Sequence, residues 1–193
     1  MGKLIFLSDG LTSKIGFKLL KDSLSDYNLS RKRILIVVPP EYYLEEALYI
    51  SCELLGFVKE NIIFFSEKLN FEEHYDYIYV TEGNAFEILD YMKRNGIVEL
   101  ITKCFKSGNC VYIGSSAGAM IAGTDIKLAS DFDKNHNNST DLGALCLFNG
   151  TIIPHYSHTD LKRYINLTDK KDLLHYNEIY SVNNGKVLVL NTM

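Results

Sequence analysis

The run Cys110-Val111-Tyr112-Ile113-Gly114-Ser115-Ser116-Ala117-Gly118-Ala119-Met120 leaves a chain little choice: a short apolar strand must pass at once into a helix of small residues. The G-x-S-x-G at its centre is the pattern of a nucleophile elbow, a sharp strand-to-helix turn that lifts one Ser hydroxyl into solvent. Glycines two residues either side let neighbouring backbone approach without side-chain clash. Ser116 is therefore the candidate nucleophile. The competing reading is a tight structural βα turn, and the strand-turn-helix setting weighs against it.

Around this turn, short β-branched or aromatic runs alternate with longer amphipathic stretches. Lys3 to Leu7, Ile34 to Val38, Asn61 to Phe65 and Asp76 to Thr81 read as strands, as does Cys110 to Ile113. Lys14 to Ser25, Glu41 to Leu55, Asn84 to Lys93 and Gly96 to Lys106 read as helices. The polar run Asp131 to Asp141 reads as a surface loop and a candidate lid. Leu147 to Ile153 returns to strand character, and two short helices are expected within Asp160 to Tyr176. Ile179 to Val182 and Lys186 to Leu190 are predicted to form a hairpin around Asn183-Asn184-Gly185. Such alternation implies an α/β fold, a mainly parallel sheet with helices on both faces. Sites in such sheets gather at the carboxyl ends of the strands, where the elbow lies.

At 193 residues and 47% hydrophobic, the chain can bury one core but is short for two domains, so 1–193 is read as a single domain. A net charge of -4 and a pI near 5.7 give no footprint for nucleic acid. No apolar run approaches the roughly 18 residues of a membrane span, and Leu4 to Leu7 lacks a signal-peptide pattern, so no membrane partner and a cytoplasmic location are expected. Cys52, Cys104, Cys110 and Cys146 lack CxxC spacing and read as buried free thiols, with no zinc site.

A serine hydroxyl needs a base within hydrogen-bond reach and donors for the oxyanion that forms. Among the five histidines, His155 follows an apolar strand and a proline in Ile152-Ile153-Pro154-His155-Tyr156, which places it at a strand's carboxyl end. His158 is its neighbour and rival, His136 lies in the polar loop, and His74 and His175 have no evident route to Ser116. Ala117 supplies one oxyanion N–H, and Val80-Thr81-Glu82-Gly83-Asn84, where a strand meets a helix, offers Gly83 for the second. Asn84 also reads as a helix N-cap.

Gly114-x-Ser116-Ala117-Gly118-Ala119, the turn ending Gly83-Asn84 and Ile153-Pro154-His155-Tyr156 stand in an order and spacing that resembles the peptidase E family of serine peptidases. The resemblance runs over essentially the whole chain. It implies a three-layer sandwich like that of class I glutamine amidotransferases (flavodoxin-like), with serine in place of cysteine on the elbow. It also implies cleavage of short peptides, the family's founding activity being on dipeptides with an amino-terminal aspartate. By that likeness Ser116 is nucleophile, His155 general base and acid, and Gly83 and Ala117 the oxyanion hole. No metal or organic cofactor is needed, and a monomer or homodimer is expected.

The chain departs from the family at three places. Relatives carry Gly-Gly-Asn in the upstream turn, where this chain has Glu82. A carboxylate there must point away from the oxyanion, pair with a cation, or spoil the site; one expectation is that Glu82 binds the substrate's ammonium, with Asn84 beside it. The family's third triad member is a glutamate, and alignment from Asn184-Gly185 puts Tyr176 there. Glu178 is the nearest carboxylate, with Asn183, Asp160 or a bare Ser/His dyad as alternatives. Arg163 is the cation expected for an acidic substrate side chain, its guanidinium fork suited to a carboxylate. Two other functions compete: an esterase, which lacks its HGGG-like loop and its late histidine here, and a binding protein that has lost turnover.

Overall fold

The computed structural model describes residues 2–65, 73–157 and 176–191. Chain order is β1 (Lys3–Leu7), α1 (Lys14–Ser23), β2 (Ile34–Val37), α2 (Glu45–Leu55), β3 (Ile62–Phe64), β4 (Tyr77–Val80), α3 (Ala85–Arg94) and α4 (Ile97–Lys106). It continues through β5 (Val111–Ser115), α5 (Ala117–Ile121), β6 (Gly150–Ile153), β7 (Glu178–Ser181) and β8 (Val187–Asn191). Six strands form one sheet in the order β3-β2-β4-β5-β1-β8, all parallel except β8. β6 and β7 pair in parallel as a second, two-stranded sheet.

The strands read as unbroken apolar runs because both faces of the large sheet are covered. Leu4, Phe6, Leu35, Val37, Ile78, Val80 and Tyr112 point to one face and pack with α3, α4 and α5. Ile5, Leu7, Ile34, Ile36, Tyr79 and Ile113 point to the other, under α1 and α2. Each fully buried Leu or Ile is worth about 1.5–3 kcal/mol relative to exposure. A one-residue slip of any central strand would exchange its two faces, so register is firmly set. That register brings the carboxyl ends of β4 and β1 to either side of β5: Val80 and Phe6 both lie opposite Gly114.

Three sequence expectations change. The final strands are not a hairpin: β7 follows β6, while β8 crosses to pair antiparallel with β1. The Asn183-Asn184-Gly185 turn thus links two sheets instead of two partners in one. The helix expected from Glu41 starts only at Glu45, because Pro39 and Pro40 open a separate 3-10 turn and Tyr43 takes a left-handed φ of 52°. The side chain of Tyr42 in that turn reaches the start of α3, where its hydroxyl accepts from the Asn84 N–H at 3.1 Å and donates to Glu87 at 3.1 Å. Burial is the largest cause that pushes the Tyr42 phenol up to about 12, so it remains a donor at neutral pH. Cys52, Cys104 and Cys110 are buried as expected, but Cys146 is exposed; all four are free thiols.

Candidate active site

Ser116 sits between β5 and α5 with φ 47° and ψ -105°, a backbone conformation that a residue with a side chain rarely adopts. Neighbours hold it there. Its N–H donates to the Leu7 carbonyl of β1 at 2.8 Å, and the Gly118 N–H donates to Thr81 beyond β4 at 3.2 Å. The two motif glycines are needed for this closeness: a Cβ on Gly118 would lie 2.2 Å from the Val80 carbonyl oxygen, and one on Gly114 would lie 2.5 Å from that of Gly118. The buried Tyr112 hydroxyl fastens the turn from below, donating to the Gly118 carbonyl at 2.7 Å. Ala117, the first residue of α5, has no preceding turn to accept its N–H.

His155 leaves the end of β6 with φ 54° and brings its Nε2 to 2.9 Å from Ser116 Oγ. Its Nδ1 lies 2.7 Å from Asn184 Oδ1. An amide oxygen can only accept, so the tautomer with its proton on Nδ1 satisfies both contacts and turns the Nε2 lone pair towards Ser116. The third partner is therefore an amide. Glu178 stands exposed at the opposite end of the small sheet, opposite Gly150, three positions from the Ile153↔Ser181 pair. Tyr176 is also occupied elsewhere, donating its hydroxyl to Asp125. Asn183, adjacent to the residue in use, caps the turn through its carbonyl to the Lys186 N–H at 3.1 Å. Asp160, Arg163, His158 and His175 lie outside the described residues, His136 is exposed in the polar loop, and the His74 carbonyl accepts from Arg33.

Gly83 occupies φ 140°, which a side chain would not tolerate, and a Cβ there would stand 2.3 Å from the Tyr42 ring. Asn84 caps α3, its side-chain oxygen accepting from Phe86 and Glu87 N–H groups at 3.0 and 3.3 Å. Its amide donates to the Lys134 carbonyl, so it pins the 131–141 loop and is taken up by structure. Asp133 of the same loop accepts from the Ala85 N–H at 2.8 Å. Partial burial raises the Asp133 carboxyl above the usual range; the Ala85 N–H and the charge of His155 oppose the shift, and Glu87 adds to it.

Glu82 is engaged by hydroxyls of β4 and the β1–α1 connection. Its carboxylate accepts from the hydroxyls of Tyr79 (3.0 Å), Thr81 (3.1 Å) and Thr12 (3.3 Å), and it fills the space that a Cβ on Gly10 would need. Tyr79 is fully buried and accepts in turn from the Leu11 N–H. Burial and the nearby Glu82 charge push its phenol well above the ordinary value, so it stays protonated and donates. Through these hydroxyls Glu82 braces β4 against the β1–α1 connection.

A family model, "Peptidase family S51", matches residues 53–192, and its span takes in the elbow, His155 and Asn184. The chain belongs to peptidase family S51. An uncharacterized peptidase of Listeria monocytogenes is 32% identical over 149 residues, covering 75% of this chain and 69% of that protein. An uncharacterized peptidase of Listeria innocua is 38% identical over 90 residues, 46% of this chain and 43% of its own. Among solved structures, a candidate peptidase E protein from Listeria monocytogenes EGD-e superposes with a TM-score of 0.69 at 25% identity, covering 100% of both chains. A peptidase from an acI-B1 actinobacterium shares the fold, with a TM-score of 0.64 at 17% identity over 98% of this chain and 83% of that one.

Within this S51 chain, Asn184 is the site residue that the sequence alone did not reveal. The available signal was the Asn-Asn-Gly turn itself, whose left-handed Gly185 presents Asn184 outward. Among the described residues no helix is long and apolar enough to cross a membrane, and no group of three His, Cys, Asp or Glu side chains could hold a metal.

Proposed function

We propose that this S51 peptidase is a serine exopeptidase acting on short peptides through an acyl-enzyme. The observation that carries the reading is the Asn184–His155–Ser116 chain of hydrogen bonds, at 2.7 and 2.9 Å, ending on a hydroxyl at a strained strand-to-helix turn. His155 Nε2 takes the Ser116 proton as Oγ attacks the peptide carbonyl. The imidazolium that forms keeps its Nδ1–H on Asn184, and the N–H groups of Ala117 and Gly83 receive the oxyanion. His155 then passes the proton to the leaving amine, and water repeats the cycle on the ester. An amide in the third position orients the imidazole without adding a charge, as in Cys-His-Asn peptidases.

The substrate we infer is a dipeptide or similarly short peptide, with an amino-terminal aspartate as the first side chain to try. Hydrolysis of Asp-X, Glu-X, Asn-X and Ala-X by wild type and Ser116→Ala tests the reading. Activity lost in the variant supports it, and a preference for Asp-X directs attention to Arg163. Wild-type hydrolysis that survives in Ser116→Ala overturns the acyl-enzyme.

A further inference from the structure

Three consecutive residues at the end of β1 each hold one part of the site. The Leu7 carbonyl accepts from the Ser116 N–H at 2.8 Å. The Ser8 hydroxyl accepts from the His155 N–H at 2.9 Å and donates to the Val182 carbonyl at 2.6 Å. The Asp9 carboxylate accepts from the Gly185 N–H at 2.8 Å, one residue beyond Asn184. The catalytic side chains come from separate sheets, yet their backbones are referred to one strip of β1.

His155 and Asn184 need such support. The β6–β7 pair that carries them is short, and His155 sits at φ 54°, a left-handed conformation that a residue with a Cβ adopts only when its surroundings hold it there. Asn184 lies in the turn between Asn183 and Lys186, closed by a 3.1 Å backbone bond, and is itself exposed. Neither residue is fixed by burial. Ser8 is 1% exposed, so its hydroxyl has no water to exchange with, and it makes both of its bonds to the His155 side of the site.

We propose that Ser8 and Asp9 are positioning residues: Ser8 sets the His155 backbone and Asp9 sets the Asn184 turn, so that the imidazole meets Ser116 in the Nδ1–H tautomer. This rests on the serine-peptidase reading above. It differs from a general packing role because, among the described residues, the hydrogen bonds given for these two side chains go to the base side of the site, to His155, Val182 and Gly185. Displacing a reacting group by about 1 Å can cost on the order of 100-fold in rate, which makes small losses of register visible.

The test is the rate at which a fluorophosphonate labels Ser116 in the full chain, paired with ¹⁵N NMR of histidine-labelled protein to read the His155 tautomer. Ser8→Ala and Asp9→Ala should each label about 10–100-fold more slowly than wild type and lose the single Nδ1–H tautomer. Asp9→Asn keeps an acceptor for Gly185 and should restore both. If Ser8→Ala fails to fold, the half-buried Asp9 series carries the test alone. Full-rate labelling with an unchanged tautomer in the alanine variants overturns the proposal, as does an Asp9→Asn as slow as Asp9→Ala. Should wild type itself resist the probe, the serine-peptidase reading falls, and the tautomer decides the positioning role: kept in Asp9→Ala, it is overturned; lost, it is supported.

Discussion

The two halves of this site are built on opposite principles. Ser116 rises from the middle of the six-stranded sheet, between β4 and β1, on a turn whose flanking Ser115, Ala117 and Gly118 are buried and whose glycines touch backbone. His155 and Asn184 follow the strands of the two-stranded sheet, both exposed, and are held by polar contacts: Ser8 on the His155 N–H, Asp9 on the neighbouring Gly185 N–H, and the bond between the two side chains. The Ser116 half is set by packing and the His155 half by polar contacts. Mutations should therefore act differently on the two sides: by stability around the elbow, by rate around the base.

The strongest way to break this contrast is to remove the reacting groups. Ser116→Ala and His155→Ala should each lower peptide hydrolysis by about 10⁴-fold or more, with thermal midpoints close to wild type, since neither side chain packs into the core. A His155→Ala variant that keeps more than a few per cent of activity in a steady-state assay would remove the base from the mechanism. Next in size is Asn184→Ala, expected to lower kcat about 100-fold with KM nearly unchanged, because Asn184 acts on the imidazole and not on the peptide. An equal fall in 1/KM would instead make Asn184 a substrate contact.

On the packed side the effect moves to folding. Gly118→Ala places a Cβ 2.2 Å from the Val80 carbonyl, which must shift, and should cost about 1–3 kcal/mol in urea denaturation. Unchanged stability would mean that β4 and α5 can separate freely, and the rigid elbow would have to be abandoned. Glu82→Gln should be milder, lowering stability by about 1 kcal/mol while leaving KM for peptides as it was, since the carboxylate meets Tyr79, Thr81 and Thr12 hydroxyls. A rise in KM would return Glu82 to the substrate.

The same division decides what the sequence discloses. Ser116, its glycines and the parallel sheet are legible because their determinants are contiguous: a strand, a turn and a helix within one run, and apolar periods in each strand. His155 was reachable as a strand-end histidine. Asn184 was not, because its role depends on where β7 and β8 part, and an Asn-Asn-Gly turn between two apolar runs reads locally as a hairpin. The turn residues are those of a hairpin; only the competition between β1 and β7 for β8, settled by burial of Leu188 and Leu190 against the core, sends the chain to the other sheet. The brace that Glu82 makes was hidden for a related reason: Tyr79 precedes it on β4, but Thr12 stands on the distant β1–α1 connection, and nothing in the sequence around Glu82 announces that contact.

The smallest expected effect lies where the two halves meet, at the loop pinned to the start of α3. Asp133 is half-buried with its carboxyl raised above the usual range, chiefly by burial. An acid whose folded value is raised binds its proton more tightly when folded, so ionising it costs stability: the penalty is absent below its unfolded value and is fully present once pH exceeds the folded one. Asp133→Asn removes that penalty while its amide oxygen can still accept from the Ala85 N–H. The variant should thus melt slightly above wild type at neutral pH and level with it near about pH 3, where carboxyls are protonated in both states. A lower melting point at neutral pH would show that the charge of Asp133, set against the positive end of α3 and within the field of His155, favours the fold, and would tie the loop to the His155 half by electrostatics as well as to α3 by its hydrogen bonds.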